Sequence, residues 1–138
     1  MSLISAKPDA VSLTAEERQQ LQDGKAILRQ EKGADGGRGI AVQYINATVS
    51  NVWDTILDYP EYPDMVKDVV RCSVYEQSRS RGSKILYVEM ISKVWGLKFG
   101  LYTKNTGNRR AGYMHWSLDR RRTSDVTDLI GYWRVEAV

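Results

Sequence analysis

The chain has 138 residues, with 20 basic and 17 acidic side chains, a net charge of +3 and a pI near 9.0. That length suits one domain able to bury about two-thirds of its unfolded surface, and so mild a charge neither demands nor excludes an acidic partner. The lone Cys72 excludes an intrachain disulfide, and no apolar run approaches the ~18 residues of a transmembrane helix. Residues 1 to about 12 read as a loose leader, and MSLISAKPDA lacks the apolar core of a signal peptide, so a cytoplasmic location is the default expectation.

In chain order, Thr14 and Glu17 form a T-x-x-E capping box that predicts a helix over Ala15–Asp23. Its apolar residues are only Leu13, Ala15 and Leu21, so it is a surface helix, stopped by Gly24. Lys25–Gln30 reads as an edge strand, GADGGRG (33–39) as a hairpin loop and Ile40–Ala47 as a strand. Those glycines lack the G-x-x-x-x-G-K-[ST] order and open no helix, which makes them a turn rather than a phosphate cradle. Residues 1–38 are thus a leader with a short helix and an edge strand, and 39–138 form the main domain.

The main domain is organised around Ala47–Val70. Ser50 is the expected N-cap, and Val52, Trp53, Ile56 and Leu57 then share one helical face. Pro60 ends the helix near Asp58 by pushing Tyr59 out of helical geometry, and Pro63 restricts Tyr62 in the same way before one more turn through Met65 and Val66. Helices this short are not stable alone in water and need a broad apolar partner. The rest of the chain supplies a sheet. Strands are expected at Val69–Gln77, Lys84–Trp95, Leu97–Lys104, Ala111–Asp119 and about Asp125–Val138, joined by polar turns (SRSRGS, Gly96, NTGNRR). Alternation puts Leu86, Val88, Met90 and Val94 on one face, followed by Leu97, Phe99 and Leu101, then Met114, Trp116 and Leu118, then Leu129, Trp133 and Val135. Long alternating runs with short turns describe an antiparallel meander with one apolar face. With eight Tyr and four Trp against a single Phe, many rings are of the kind that line partly wet surfaces such as a pocket mouth.

The stretch ATVSNVWDTILDYPEYPDMVKDVVRCSVYE resembles the first helix pair and second strand of the START-like superfamily, which includes polyketide cyclases and coenzyme Q-binding proteins. Val49, Val52, Trp53, Asp54, Leu57, Asp58, Tyr59, Tyr62 and Pro63 carry the match, and MHWSLD and SDVTDLIGYWRVEAV resemble the family's late strands. The resemblance runs from about Ile40 to Val138. It implies an α+β helix-grip fold, in which a curved antiparallel sheet packs against short helices around an apolar cavity. It also implies a further strand and a long C-terminal helix after the segment ending at Val138; without them the gripped face is partly bare, so the expectation is a domain incomplete at its C-terminus, or one whose face the N-terminal segment or another chain covers.

The residues expected to line the cavity are Trp53, Tyr62, Met65, Val88, Met90, Phe99, Leu101, Met114, Trp116 and Trp133, with Tyr59 or Tyr62 near the mouth to hydrogen-bond a ligand. Met and Trp suit such a wall because they adapt to what they touch. No catalytic or metal-binding residue and no cofactor is expected. His115 is the only histidine, no G-x-S-x-G elbow presents a serine, and alternation turns His115 away from Trp116 as an exposed strand residue. Asp58, Glu61, Asp64 and Asp68 follow no EF-hand order and read as turn and cap residues. Cys72 reads as a small packing residue with no base to activate it. Arg79, Arg81, Lys84, Arg109, Arg110 and Arg120–Arg122 fall at turns; a rim for phosphate would need several on one face, so nucleic acid is disfavoured and transient contact with a membrane surface remains open. The leading reading is non-catalytic binding or transport of a lipid-like, isoprenoid or polyketide-like molecule. The alternatives are a polyketide aromatase/cyclase-type enzyme, which needs polar groups facing inward, and an interaction module like the superfamily's ribosome-associated members.

Overall fold

The structure, a computed structural model, describes residues 7–33 and 36–138. The chain divides into two compact units, one spanning Asp9–Ala47 and the other built from Thr48–Val138.

In the first unit, α1 (Ala15–Gln22) is followed by the antiparallel hairpin β1 (Ile27–Gly33) and β2 (Gly36–Val42). The capping box forms: the Glu17 N–H donates to Thr14 Oγ1 at 3.1 Å, and the Thr14 N–H donates to Glu17 Oε1 at 3.0 Å. The Glu17 carboxylate also accepts from Arg29 of β1, which in turn donates to the Ser12 carbonyl at 2.7 Å, so one carboxylate ties the helix to the strand. The Arg29 hydrogen bond holds Glu17 down to about 2. Gly24, at φ +81°, ends the helix. The glycine stretch is less of a loop than its composition implies. Gly36–Gly39 pair with β1, and Ala34 and Asp35 lie outside the described residues. The strand expected at Ile40–Ala47 therefore starts earlier and ends at Val42, because its partner runs out at Ile27.

In the second unit, α2 (Val49–Ile56) is capped by Thr48 rather than Ser50. The Thr48 backbone is extended and its Oγ1 accepts from the Asn51 N–H at 3.1 Å, while Ser50 lies inside the first turn and accepts from Arg109 through its carbonyl and hydroxyl. A tight helical turn (Tyr59–Glu61) and α3 (Tyr62–Met65) follow, with Pro60 and Pro63 in the first-turn positions where a missing N–H costs nothing.

The sheet contains β3 (Val69–Ser80), β4 (Ser83–Val94), β5 (Leu97–Asn108), β6 (Tyr113–Leu118) and β7 (Ile130–Arg134), neighbouring in chain order and antiparallel throughout. The fold is α+β helix-grip. Register assigns the inner face: Cys72 pairs with Met90 and Met90 with Leu101; Val88 aligns with Thr103 and Leu118; Leu86 aligns with Asn105, Trp116 and Gly131; and Met114 pairs with Trp133. Trp53, Ile56, Tyr59 and Tyr62 pack onto this face against Val69, Cys72, Leu86, Val88 and Met114. Trp53 and Val88 are each only 1% exposed, and each such buried side chain contributes about 1.5–3 kcal/mol.

β5 runs on to Asn108, so most of NTGNRR is strand, and β7 covers only Ile130–Arg134 of the expected Asp125–Val138. Residues 119–125 do something else. β6 pairs only with Thr103–Asn108 of β5, and the chain after β6 turns back to satisfy the remainder. The Asp119 N–H donates to the Tyr102 carbonyl at 2.8 Å and the Asp125 N–H to the Gly100 carbonyl at 2.9 Å. In return, the Gly100 N–H donates to Asp125 Oδ2 at 2.6 Å and the Tyr102 N–H to Ser124 Oγ at 3.0 Å. Among the described residues no helix is long and apolar enough to cross a membrane.

Candidate functional site

The inner face has two halves. Under the helices it is closely packed and uncharged. Tyr59, Tyr62, Val88 and Met114 are buried there with Trp53. The Tyr59 hydroxyl donates to Met114 Sδ at 3.7 Å, the Tyr62 hydroxyl donates to the Ile56 carbonyl, and the two rings lie 5.2 Å apart. Neither tyrosine stands at a mouth, since both hydroxyls are turned into the packed interior. Burial pushes the Tyr62 phenol up to about 12, the Tyr59 phenol higher still and the Cys72 thiol to about 11, so all three stay neutral and protonated at ordinary pH. The Trp53 indole N–H is a buried donor with no acceptor among the described residues.

The other half, on β5, β6 and β7, is open to solvent. Phe99 is 42% and Trp133 41% exposed, and Leu101 and Trp116 are half-buried. The Trp116 and Trp133 rings lie 5.9 Å apart at a tilt. Gly131 makes room for this pair: a Cβ there would stand 2.3 Å from the Trp116 ring. Of the remaining residues in the expected wall, Met90 is half-buried against the core and Met65, at the end of α3, is 47% exposed.

Between the halves sits a residue that the turn-like NTGN composition places in a loop. Asn105 is 5% exposed, and its Nδ2 donates to the Leu86 carbonyl at 3.2 Å and to Thr103 Oγ1 at 3.0 Å. Extending the Phe99, Leu101, Thr103 alternation by one more step would have placed it on the inner face.

His115 corrects the expectation of an exposed histidine. It faces away from Trp116, as alternation requires, but is only 8% exposed, with the Tyr113 and Tyr132 rings at 5.5 and 6.2 Å. Around His115 the outer face is covered by its own aromatic side chains.

That face also holds a polar network across β3, β4, β5 and the segment after β6. Tyr75 donates to Asp119 Oδ2 at 2.6 Å, and Arg121 grips both Asp119 oxygens and reaches Glu76 at 3.1 Å. The Arg121 and Arg122 guanidinium groups stack over the Tyr87 and Tyr75 rings at 4.2 and 4.1 Å. The Arg121 hydrogen bonds, with that of Tyr75, hold Asp119 down to about 2. The run of Arg120–Arg122 is thus largely structural.

The other arginine turns lie at one end of the sheet, since Lys84 pairs with Gly107. Arg109 is bound to Asp54 at 3.0 Å and to Ser50, tying the β5–β6 turn to α2. Arg79 and Lys84 line a shallow polar depression with Gln77 and Ser78. Asp58, Glu61, Asp64 and Asp68 do not converge. Among the described residues no group of three or more His, Cys, Asp or Glu side chains is placed to hold a metal ion.

Chemically, the inner face around Trp116 and Trp133 offers apolar side chains, two indoles packed at a tilt and the Asn105 amide. It suits contact with a hydrophobic molecule more than proton transfer. Comparison with curated proteins and with solved structures finds no match. The family model described as polyketide cyclase / dehydrase and lipid transport matches residues 45–138, the whole of the sheet and both of its helices, and the chain belongs to that family.

Proposed function

We propose that this domain binds and carries a hydrophobic small molecule of lipid-like, isoprenoid or polyketide-like character, seated on the open half of the inner face. One observation carries the reading: Phe99, Leu101, Trp116 and Trp133 share the inner face with the buried core yet remain exposed or half-buried, and the Trp116 and Trp133 rings lie 5.9 Å apart. Covering such a surface returns roughly 25 cal/mol for each Å² of apolar area removed from water. The Trp116 indole lies over Gly131.

The cyclase-type reading asks for acids, bases or arginines facing inward. Near the buried core the polar residues on this face are Thr103 and Asn105, bonded to each other and to the sheet; register also puts Ser92 there beside Phe99, and Gln77, Arg79 and Lys84 at the end of the sheet. The nearby phenols and thiol are held protonated by burial. Carriage fits these groups better than catalysis does.

The test is organic extraction of protein purified gently from cells, followed by mass spectrometry of the extract and of the intact complex. A stoichiometric lipid, isoprenoid or polyketide mass is expected. Bare polypeptide that also fails to take up any apolar probe would overturn carriage.

A further inference from the structure

The end of the sheet opposite the arginine turns is built differently. There β4 turns into β5 through two residues, Trp95 at φ +56° and Gly96 at φ +78°, between the paired Val94 and Leu97. Both φ values are positive, the geometry of the tight hairpin turn that favours Asn-Gly. A bulky aromatic is a poor choice for the first position, and the fold makes no use of this one: Trp95 is 97% exposed. Leu97 is 63% and Phe99 42% exposed beside it. The Lys93 N–H donates to the Asp68 carbonyl at 2.8 Å, which brings the end of α3 to the same margin, where Met65 and Val66 are 47% and 43% exposed.

The charges nearest the hairpin tip are lysines, and the first carboxylate along β5 is that of Asp125 on the Gly100 N–H. Lys93 and Lys98 pair across the hairpin and are exposed, Lys67 is exposed beside Asp68, and no acidic residue occurs between Glu89 and Asp119. Val94, Leu97 and Phe99 continue the inner apolar face, while the two lysines project from the other side. A protruding aromatic, a short apolar margin and flanking lysines match the boundary between acyl chains and anionic headgroups, where the indole sits at the interface and lysine stems reach up to phosphate.

We propose that the Trp95 hairpin, with Met65 and Val66 at the end of α3, docks this domain onto the surface of an anionic phospholipid bilayer. Docking does not require an occupied ligand site. Trp95 enters the headgroup layer, and Lys93 and Lys98 meet lipid phosphate.

The test is cosedimentation of the full chain with vesicles of phosphatidylcholine alone and of phosphatidylcholine mixed with phosphatidylserine, at low and physiological salt. Wild type should pellet with the anionic vesicles, less so as salt rises, with a blue shift of tryptophan emission. Trp95→Asn, which suits the turn and so keeps the fold, should weaken binding by about tenfold or more and remove most of the shift. Lys93→Gln and Lys98→Gln should each weaken it by about fivefold. Ligand uptake measured in solution should be unchanged in Trp95→Asn, so loss of docking and loss of carriage are read separately. Wild type that ignores anionic vesicles, or self-associates through this margin in sedimentation velocity without binding them, would overturn the proposal. So would equal binding by Trp95→Asn.

Discussion

The two hairpin tips of β4 share a backbone and differ in chemistry. At one end Arg81 and Gly82 turn with φ of 52° and 80°; at the other Trp95 and Gly96 turn with 56° and 78°. The first is flanked by the Ser80–Ser83 and Arg79–Lys84 pairs, and the second by Val94–Leu97 and Lys93–Lys98. An exposed arginine at a turn is an ordinary solvated charge. An exposed tryptophan in the same geometry serves no internal contact, so its reason lies outside the fold. The comparison separates what a hairpin needs, a residue tolerating positive φ followed by glycine, from what its tip presents to the surroundings.

The largest expected effect breaks what both tips share. Trp53→Ala removes the indole that locks α2 onto the sheet, and the loss should be about 3–5 kcal/mol in urea unfolding, with both hairpins losing hydrogen-exchange protection together. Next is Gly131→Ala. Its Cβ would meet the Trp116 ring at 2.3 Å, so the ring must move, at a cost of about 1–3 kcal/mol. Near-ultraviolet circular dichroism should change and ligand uptake fall, while vesicle binding at Trp95 stays.

Asp119 supports one end only. Its segment carries Ser124 and Asp125 onto the Gly100 and Tyr102 amides, in the half of β5 that leads from the Trp95 tip. Its folded pKa of about 2 lies below the ordinary 3.8, so its stabilisation is full above 3.8 and is lost as pH falls through about 2. Asp119→Asn should cost on the order of 1–2 kcal/mol at neutral pH, and the gap to wild type should close in acid. Glu17 titrates in the same window in the other unit, and taking the difference between the two proteins removes it. Gly100 and Tyr102 amides should exchange faster in the variant, and Lys84 and Gly107 amides should not.

The smallest effect sharpens the comparison most. Trp95→Asn and Arg81→Asn each place a left-handed-tolerant residue in the turn and should each stabilise by about 1 kcal/mol, seen as matched rises in thermal midpoint. Only the first should alter vesicle binding.

Alternation made the sheet legible, because each strand in the Val69–Trp116 stretch turns alternate side chains toward the apolar inner face and the helix pair carries a Val52–Trp53–Ile56 face. What alternation leaves out is pairing at long range. Asn105 read as loop because N-T-G-N is turn-like in composition, yet β4 opposite it supplies a full ladder through Lys84–Gly107. Tyr75 and Asp119 are 44 residues apart, so no local spacing signals their bond, and with it the true course of residues 119–129 was hidden. Alternation puts His115 on the face away from Trp116, but there the Tyr113 and Tyr132 rings flank it instead of water. Thr48 and Ser50 are both good caps in sequence; the choice between them follows from which hydroxyl can reach an amide three residues on, and from Arg109 occupying Ser50. For the site, Trp116 and Trp133 were legible as inner-face residues, whereas the exposure of Phe99, Met65 and Trp133 depends on how far the short helices reach across the sheet.

The most direct measurement is uptake of a fluorescent polyene fatty acid by wild type, Trp116→Ala and Trp95→Asn, followed by energy transfer from tryptophan. Carriage on the inner face requires saturable uptake by wild type and by Trp95→Asn, with uptake by Trp116→Ala abolished at unchanged strand content. Saturable uptake that Trp116→Ala leaves intact, or no uptake by any of the three folded proteins, would contradict it.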